Sequence, residues 1–243
     1  MLTKNQTKRI LSLSKKKYRQ EQQCFVAEGP KVVQEFLDAQ YDLVEILSTS
    51  DYYQAFGKAY TKVSEVELNK ISNLKTPNVV VAIFKIPTPA EIDASQLIVA
   101  LDGLNNPGNL GTIIRLCDWF GVKDLVCSIN SVDCYNSKVI QSAMGSHTRV
   151  TITYTDLALF LKNKQQTFGT FMDGKSIYEE NLPQGGVIVL GNEANGISDN
   201  IESILDKRIA IPRYGDFKQT ESLNVANAAA IILGEFRRRS TEM

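Results

Sequence analysis

The feature that most constrains this chain is the alternation, through its second half, of short apolar runs with helical stretches. Residues 97–101, 125–127, 150–154, 167–171, 187–190 and 208–211 read as strands, and 112–120, 138–144, 156–164 and 225–238 as helices. Apolar runs with no polar alternation are buried on both faces, as happens when helices cover both sides of a parallel sheet. The expected class is therefore α/β with a parallel sheet.

The first half has its own rhythm. Residues 4–17, 30–39 and 64–71 read as helices, the second with Pro30 in its first turn, where proline is tolerated. Residues 24–26, 43–47 and 79–84 read as strands. Lys85-Ile86-Pro87-Thr88-Pro89-Ala90 follows, with two prolines outside any periodic pattern, and reads as a linker. A chain of 243 residues accommodates two small domains, and we place them at 1–88 and 95–243.

Charge is balanced, with 27 basic and 27 acidic residues, but unevenly spread. Lys4, Lys8, Arg9, Lys15, Lys16, Lys17 and Arg19 fall in the first twenty residues with no acid among them. Such a cluster is either a contact for a polyanion or a solvated helix face. A hydrophobic content of 43% is that of an ordered globular protein. No apolar run reaches membrane-span length and the start lacks a signal peptide's apolar core, so a cytoplasmic protein with no membrane partner is expected. Cys24, Cys117, Cys127 and Cys134 form no Cys-x-x-Cys pair and are expected as buried reduced thiols. His147 is the single histidine, so no metal site is expected, and a structural or surface role suits that residue.

Three loops follow strand ends in the second half, where open parallel sheets bind ligands. The first runs Asp102-Gly103-Leu104-Asn105-Asn106-Pro107-Gly108-Asn109-Leu110-Gly111 into a helix that carries Arg115. Its glycines and proline supply turn conformations, and a helix N-terminus offers N–H groups to an anion. The second is Gly191-Asn192-Glu193-Ala194-Asn195-Gly196, small enough for a ligand to approach the backbone. No Gly-x-Gly-x-x-Gly opens a helix after the first strand of either half, which disfavours a dinucleotide oxidoreductase. The third joins Ile211-Pro212-Arg213-Tyr214-Gly215 to Glu221-Ser222-Leu223-Asn224-Val225. Taken singly, these loops could be a capped turn, a glycine turn and a helix start.

Together and in order they resemble the signature motifs of the SpoU (TrmH) family of RNA 2′-O-ribose methyltransferases in the SPOUT superfamily. Pro107, Asn109, Gly111 and Arg115 match the first motif. Gly191, Glu193 and Gly196 match the second, and Ile211, Pro212, Ser222, Leu223, Asn224 and Val225 the third. The stretch 216–220 makes the third loop longer than in many members. Lys16-Lys17-Tyr18-Arg19, Phe25 and Glu28-Gly29 look like the substrate-binding module that often precedes this domain, similar to small ribosomal α/β proteins that grip RNA.

The resemblance implies a trefoil-knotted catalytic domain, an exception to the general avoidance of knots, and a homodimer. It implies S-adenosyl-L-methionine as cofactor, bound at Gly191, Asn192, Gly196, Ile211, Pro212 and Leu223. Asn109, Arg115, Glu193, Ser222 and Asn224 become the catalytic candidates, and Lys15, Lys16, Lys17 and Arg19 the RNA contacts. The implied reaction methylates a ribose 2′-hydroxyl of structured RNA, ribosomal before transfer RNA. A guanidinium is a poor base, so Arg115 is expected to clamp phosphate and favour a developing alkoxide, with the proton acceptor left open. A non-catalytic RNA-binding protein of the same fold is the alternative. Trp119 is expected to pack against the core or a partner subunit, and Tyr18 either to pack or to stack a base. Arg237, Arg238 and Arg239 either touch RNA or complement a helix C-terminus.

Overall fold

The computed structural model describes residues 2–214 and 222–240. They divide into two compact units, one within 1–88 plus 133–148 and the other within 89–132 plus 149–243.

The first unit begins with α1 (Lys4–Ser12), α2 (Lys16–Gln22), β1 (Cys24–Glu28), α3 (Pro30–Asp38) and β2 (Leu43–Ser48). A 3₁₀ segment over Asp51–Ala59 leads into β3 (Tyr60–Lys62), α4 (Glu65–Ile71) and β4 (Val80–Lys85). The sheet runs β1-β4-β2-β3, with β4 antiparallel to both β1 and β2. Successive strand residues serve opposite faces. Phe25, Ile46 and Phe84 join Phe36 of α3 in one core, whereas Val26, Leu47 and Ile83 join Ile10, Leu13 and Leu68 in another.

The single helix expected over 4–17 breaks at Leu13–Lys15. The Ser12 and Ser14 hydroxyls donate back to the carbonyls of Arg9 and Leu11, at 2.6 and 2.7 Å, competing with continued helix. The 3₁₀ segment and β3 are not expected from the pattern, because Gly57 interrupts the periodicity.

The second unit opens with β5 (Leu97–Leu101), α5 (Pro107–Trp119) and β6 (Asp124–Ser128). Residues 133–148, with α6 (Ser137–Ala143), then belong to the first unit, a return that no expectation placed there. Within that unit Tyr135, Ile140 and Met144 pack on the Phe25–Phe36 core. His147 is buried there as well. Its Nε2 lies 2.9 Å from the Cys134 carbonyl oxygen, and Tyr41 Oη donates to the His147 carbonyl at 3.0 Å. Burial pushes the imidazole down to about 4, so at neutral pH the ring is uncharged and its role is structural.

The second unit continues with β7 (Thr151–Thr155), α7 (Leu157–Leu161), β8 (Thr167–Ser176), β9 (Gly186–Leu190), α8 (Asp199–Glu202), β10 (Lys207–Ala210) and α9 (Val225–Ser240). Every pairing in its sheet is parallel, in the order β10-β8-β9-β5-β6-β7. β10 stops at Ala210, one residue before the expected end, where Pro212 is near and can give no ladder N–H. β8 runs past its expected end, with a register break between Arg208 and Ile209 on β10 that leaves residues 170–174 of β8 outside the ladder. The four cysteines are free and buried. Among the described residues no helix is long and apolar enough to cross a membrane.

Candidate active site

Sheet order locates the site. From β5 the chain builds outward through β6 and β7, while β9, β8 and β10 lie on the other side. The switch in direction falls between β5 and β9, whose ends pair Leu101 with Leu190. Loops leaving the carboxyl ends of two such strands diverge and open a crevice. The first two motif loops begin there.

Local chemistry shapes the first loop. Asn106 caps α5, its Oδ1 accepting from the N–H groups of Gly108 at 2.8 Å and Asn109 at 3.2 Å, and Pro107 follows at a position that needs no N–H. The second loop is closed by mutual backbone bonds between Asn192 and Gly196, at 2.8 and 2.9 Å. A Cβ on Gly191 would collide with the backbone of Gly196 and Ile197, so this turn requires glycine. Asn192 Nδ2 donates to the Gly103 carbonyl at 2.6 Å, joining the two loops. Buried Asp102 adds a second tie, accepting from Ser198 N at 2.8 Å and Oγ at 2.6 Å.

A chain of side-chain hydrogen bonds connects all three motifs. Asn109 Nδ2 donates to Glu193 Oε1 at 3.0 Å, and Asn224 Nδ2 donates to Asn109 Oδ1 at 3.0 Å. Glu193 also accepts from the Asn106 and Asn105 amides, at 3.2 and 3.4 Å. Burial alone would raise its carboxyl, but the Asn109 side chain and the amides around it outweigh that and hold it below the usual carboxylate range. Glu193 is thus an ionised fixed acceptor at neutral pH. Asn224 Oδ1 meanwhile caps α9, accepting from Ala226 N at 3.0 Å and Asn227 N at 3.3 Å. Arg115, on the same helix as Asn109, is exposed and has no ion pair or hydrogen bond among the described residues.

Residues 96–234 match the SpoU rRNA Methylase family. The chain belongs to that family. Residues 4–82 match the MRM3-like substrate binding domain. The SpoU chain is 29% identical over 235 residues, 93% of each protein, to 23S rRNA (guanosine(2553)-2′-O)-methyltransferase RlmP of Bacillus subtilis. Its structure is similar to a TrmH-family protein from Porphyromonas gingivalis, with TM-score 0.89, 36% identity and coverage of 98% of this chain and 99% of that one. It is also similar to the AdoMet-bound rRNA methyltransferase from Sinorhizobium meliloti, with TM-score 0.87, 28% identity and coverage of 98% and 96%.

The SpoU motif residues separate into three groups. Asn109, Glu193 and Asn224 are joined by hydrogen bonds. Gly191, Asn192 and Gly196 shape the second loop, and Gly196 stands at φ +70° with nothing within 4 Å of where a Cβ would point. Ile211 and Pro212 are half-buried, Leu223 is exposed, and Ser222 has no side-chain partner among the described residues. The extended stretch 216–220, like Gly215 and Glu221, lies outside the described residues. Sequence reasoning missed Asp102 and the double role of Asn106. Both carried a signal: an acid directly after an apolar strand, and an Asn-Pro pair at a helix start.

The basic cluster of the first unit divides differently. Lys15, Lys16 and Lys17 are exposed. Arg19 is not available to RNA, which corrects its grouping with them. Its side chain is 2% exposed and paired with Asp133 at 2.5 Å. Of the two places expected for Trp119, core or partner subunit, the core is ruled out, since the residue is 84% exposed. Arg237 donates to the Phe120 and Gly121 carbonyls and Arg238 and Arg239 pair with Glu235, as cations near a helix end do.

Proposed function

We propose that the chain methylates a ribose 2′-hydroxyl in ribosomal RNA with S-adenosyl-L-methionine as donor. The observation that carries this reading is the hydrogen-bonded series Glu193–Asn109–Asn224, which ties the three SpoU motifs together in the unit that bears exposed Arg115. The B. subtilis relative's name supplies the ribosomal substrate class, and the substrate-binding match over 4–82 is consistent with it.

The residues present suit the cofactor. Gly196 leaves the second loop open above its backbone, Leu223, 52% exposed, gives an apolar surface for an adenine, and Ile211 and Pro212 of the same motif are half-buried. Gly191, Asn192, Gly196, Ile211, Pro212 and Leu223 would hold it. When bound, it supplies a methyl group on a positively charged sulfur.

The chain's own part is placement and electrostatics. Arg115 clamps a phosphate beside the target ribose and favours negative charge developing on the 2′-oxygen. Its planar fork fits phosphate, and a guanidinium offers donors but no acceptor, so it clamps and does not act as the base. Glu193, fixed by amides of the first loop, holds Asn109, and Asn109 holds Asn224, so the motif loops keep one geometry as RNA arrives. Ser222, exposed shortly before α9 in the third motif, would help orient the nucleotide. Lys15, Lys16 and Lys17 grip RNA backbone from the first unit. We further propose a knotted catalytic domain, a cytoplasmic setting and a homodimer, as the family resemblance implies.

The test is methyl transfer from labelled donor to protein-free large-subunit rRNA, with the methylated ribose mapped. Incorporation at one ribose is the expected outcome. RNA binding without any methyl transfer would instead favour the non-catalytic reading, and transfer confined to tRNA would replace the substrate class.

A further inference from the structure

The corrected role of Arg19 leads to an inference that rests on the proposed grip of RNA by Lys15–Lys17. We propose that Arg19 is a positioning residue for RNA binding: it fixes the turn that displays those lysines, and Asp133, far away in sequence, fixes Arg19. All these residues belong to the first unit.

Leu13–Lys15 separates α1 from α2. The last carbonyls of a helix lack helical partners and need others. Arg19 Nη1 donates to the Leu13 carbonyl at 2.7 Å and the Ser14 carbonyl at 2.9 Å. Its Nε and Nη2 donate to Asp133 Oδ2 at 2.9 and 2.5 Å. The opposite oxygen, Asp133 Oδ1, accepts from Tyr135 N at 3.0 Å, so the carboxylate is itself held in place. One guanidinium therefore spans the turn and an anchored carboxylate, a geometry that needs a rigid fork and not a point charge.

The turn draws on this support because α2 has no side-chain cap at its start. Lys15 occupies the N-cap and gives no side-chain cap, and the first turn carries lysines and no acid. Cations there oppose the helix dipole. Three exposed lysines at a helix start are unfavourable for the isolated chain and well suited to an approaching phosphate backbone. Arg19 absorbs the turn's carbonyls from beneath while contributing no exposed charge, so its effect on RNA passes through the lysines.

The test is RNA affinity as a function of salt, with the full chain and a protein-free large-subunit rRNA transcript. The variants are K15A/K16A/K17A, R19K, D133N, and R19K within the triple-lysine background. R19K conserves net charge, so a change in salt slope reports lost alignment. The triple variant is expected to flatten the slope by about 0.7–0.9 for each phosphate no longer neutralised. R19K is expected to bind roughly three- to tenfold more weakly with a flatter slope, as loss of a planar fork at a bidentate site predicts, and to add nothing in the triple background. D133N, which keeps the acceptor shape, should move affinity the same way by less, and serves if R19K fails to fold. A lower melting temperature with a wild-type slope, or an R19K effect undiminished without the lysines, overturns the positioning role alone. Wild-type binding by the triple variant overturns the lysine grip itself.

Discussion

Arg115 and Arg19 sit in different units and in opposite surroundings. Arg115 projects from α5 into solvent with no bonded partner among the described residues, in the unit where Asn109, Glu193 and Asn224 hold the motif loops together. Arg19 is buried, with its donors shared between Asp133 and two turn carbonyls. An arginine whose donors are already used can only hold structure, and one whose donors are unspent can meet a ligand. The contrast predicts that removing each will damage a different property.

The largest effect is expected on catalysis. Arg115→Ala should lower single-turnover methylation by roughly 100- to 1000-fold, the scale of deleting one preorganised electrostatic group. Its exposure predicts a stability change within about 0.5 kcal/mol and unaltered cofactor affinity. Arg115→Lys should restore only part of the rate, since charge returns without the fork. A wild-type rate in the alanine variant would remove Arg115 from the mechanism and collapse the comparison. Arg19→Ala should invert the pattern, costing roughly 3 kcal/mol in denaturant unfolding because it leaves Asp133, mostly buried, without its partner. Little loss of stability would mean that water replaces the guanidinium.

A buried neutral base should sharpen the same distinction through pH. His147 titrates near 4 when folded, against about 6.5 for an unperturbed histidine. Its folded value is depressed, so between those two values the unfolded chain binds the extra proton and stability falls as pH falls. From pH 7 to pH 5 the loss attributable to this group is about 2 kcal/mol. Because His147 is the single histidine, a His147→Gln variant should lose that part of the pH dependence in urea melts, whatever its stability at pH 7. An equal slope in both proteins would place the imidazole in contact with water.

How much could be read in advance follows the same division. The second unit's strands are continuous apolar runs, so sheet class was legible from pattern, whereas the site candidates came from the resemblance of the loops after those strands to the SpoU motifs. The third-motif bond of Asn224 to Asn109 was not legible, because the two lie 115 positions apart and only the fold brings them together. In the first unit, charge alone could not separate Lys17 from Arg19. The separation depends on Asp133, contributed by a segment that leaves the second unit's sequence between β6 and β7 to pack in the first. Local pattern also failed at Ser12 and Ser14, whose back-bonding hydroxyls break a helix that apolar spacing would have continued.

The smallest expected effect isolates what Asn224 contributes. Its Oδ1 caps α9 while its Nδ2 reaches Asn109, so one side chain serves both helix stability and the link between motifs. Asn224→Ala removes both and should cost about 1 kcal/mol, the usual value of an N-cap. Asn224→Ser keeps a cap acceptor but is too short and lacks the amide donor, so stability should return to within about 0.5 kcal/mol of wild type. If the link matters for turnover, methylation by the serine variant should remain below wild type even though the helix is restored. Recovery of both properties with serine would show that Asn224 acts as a cap alone. Asn109 would then depend on Glu193 for its position, and the third motif would contribute to the site through Ile211, Pro212, Leu223 and Ser222 without Asn224.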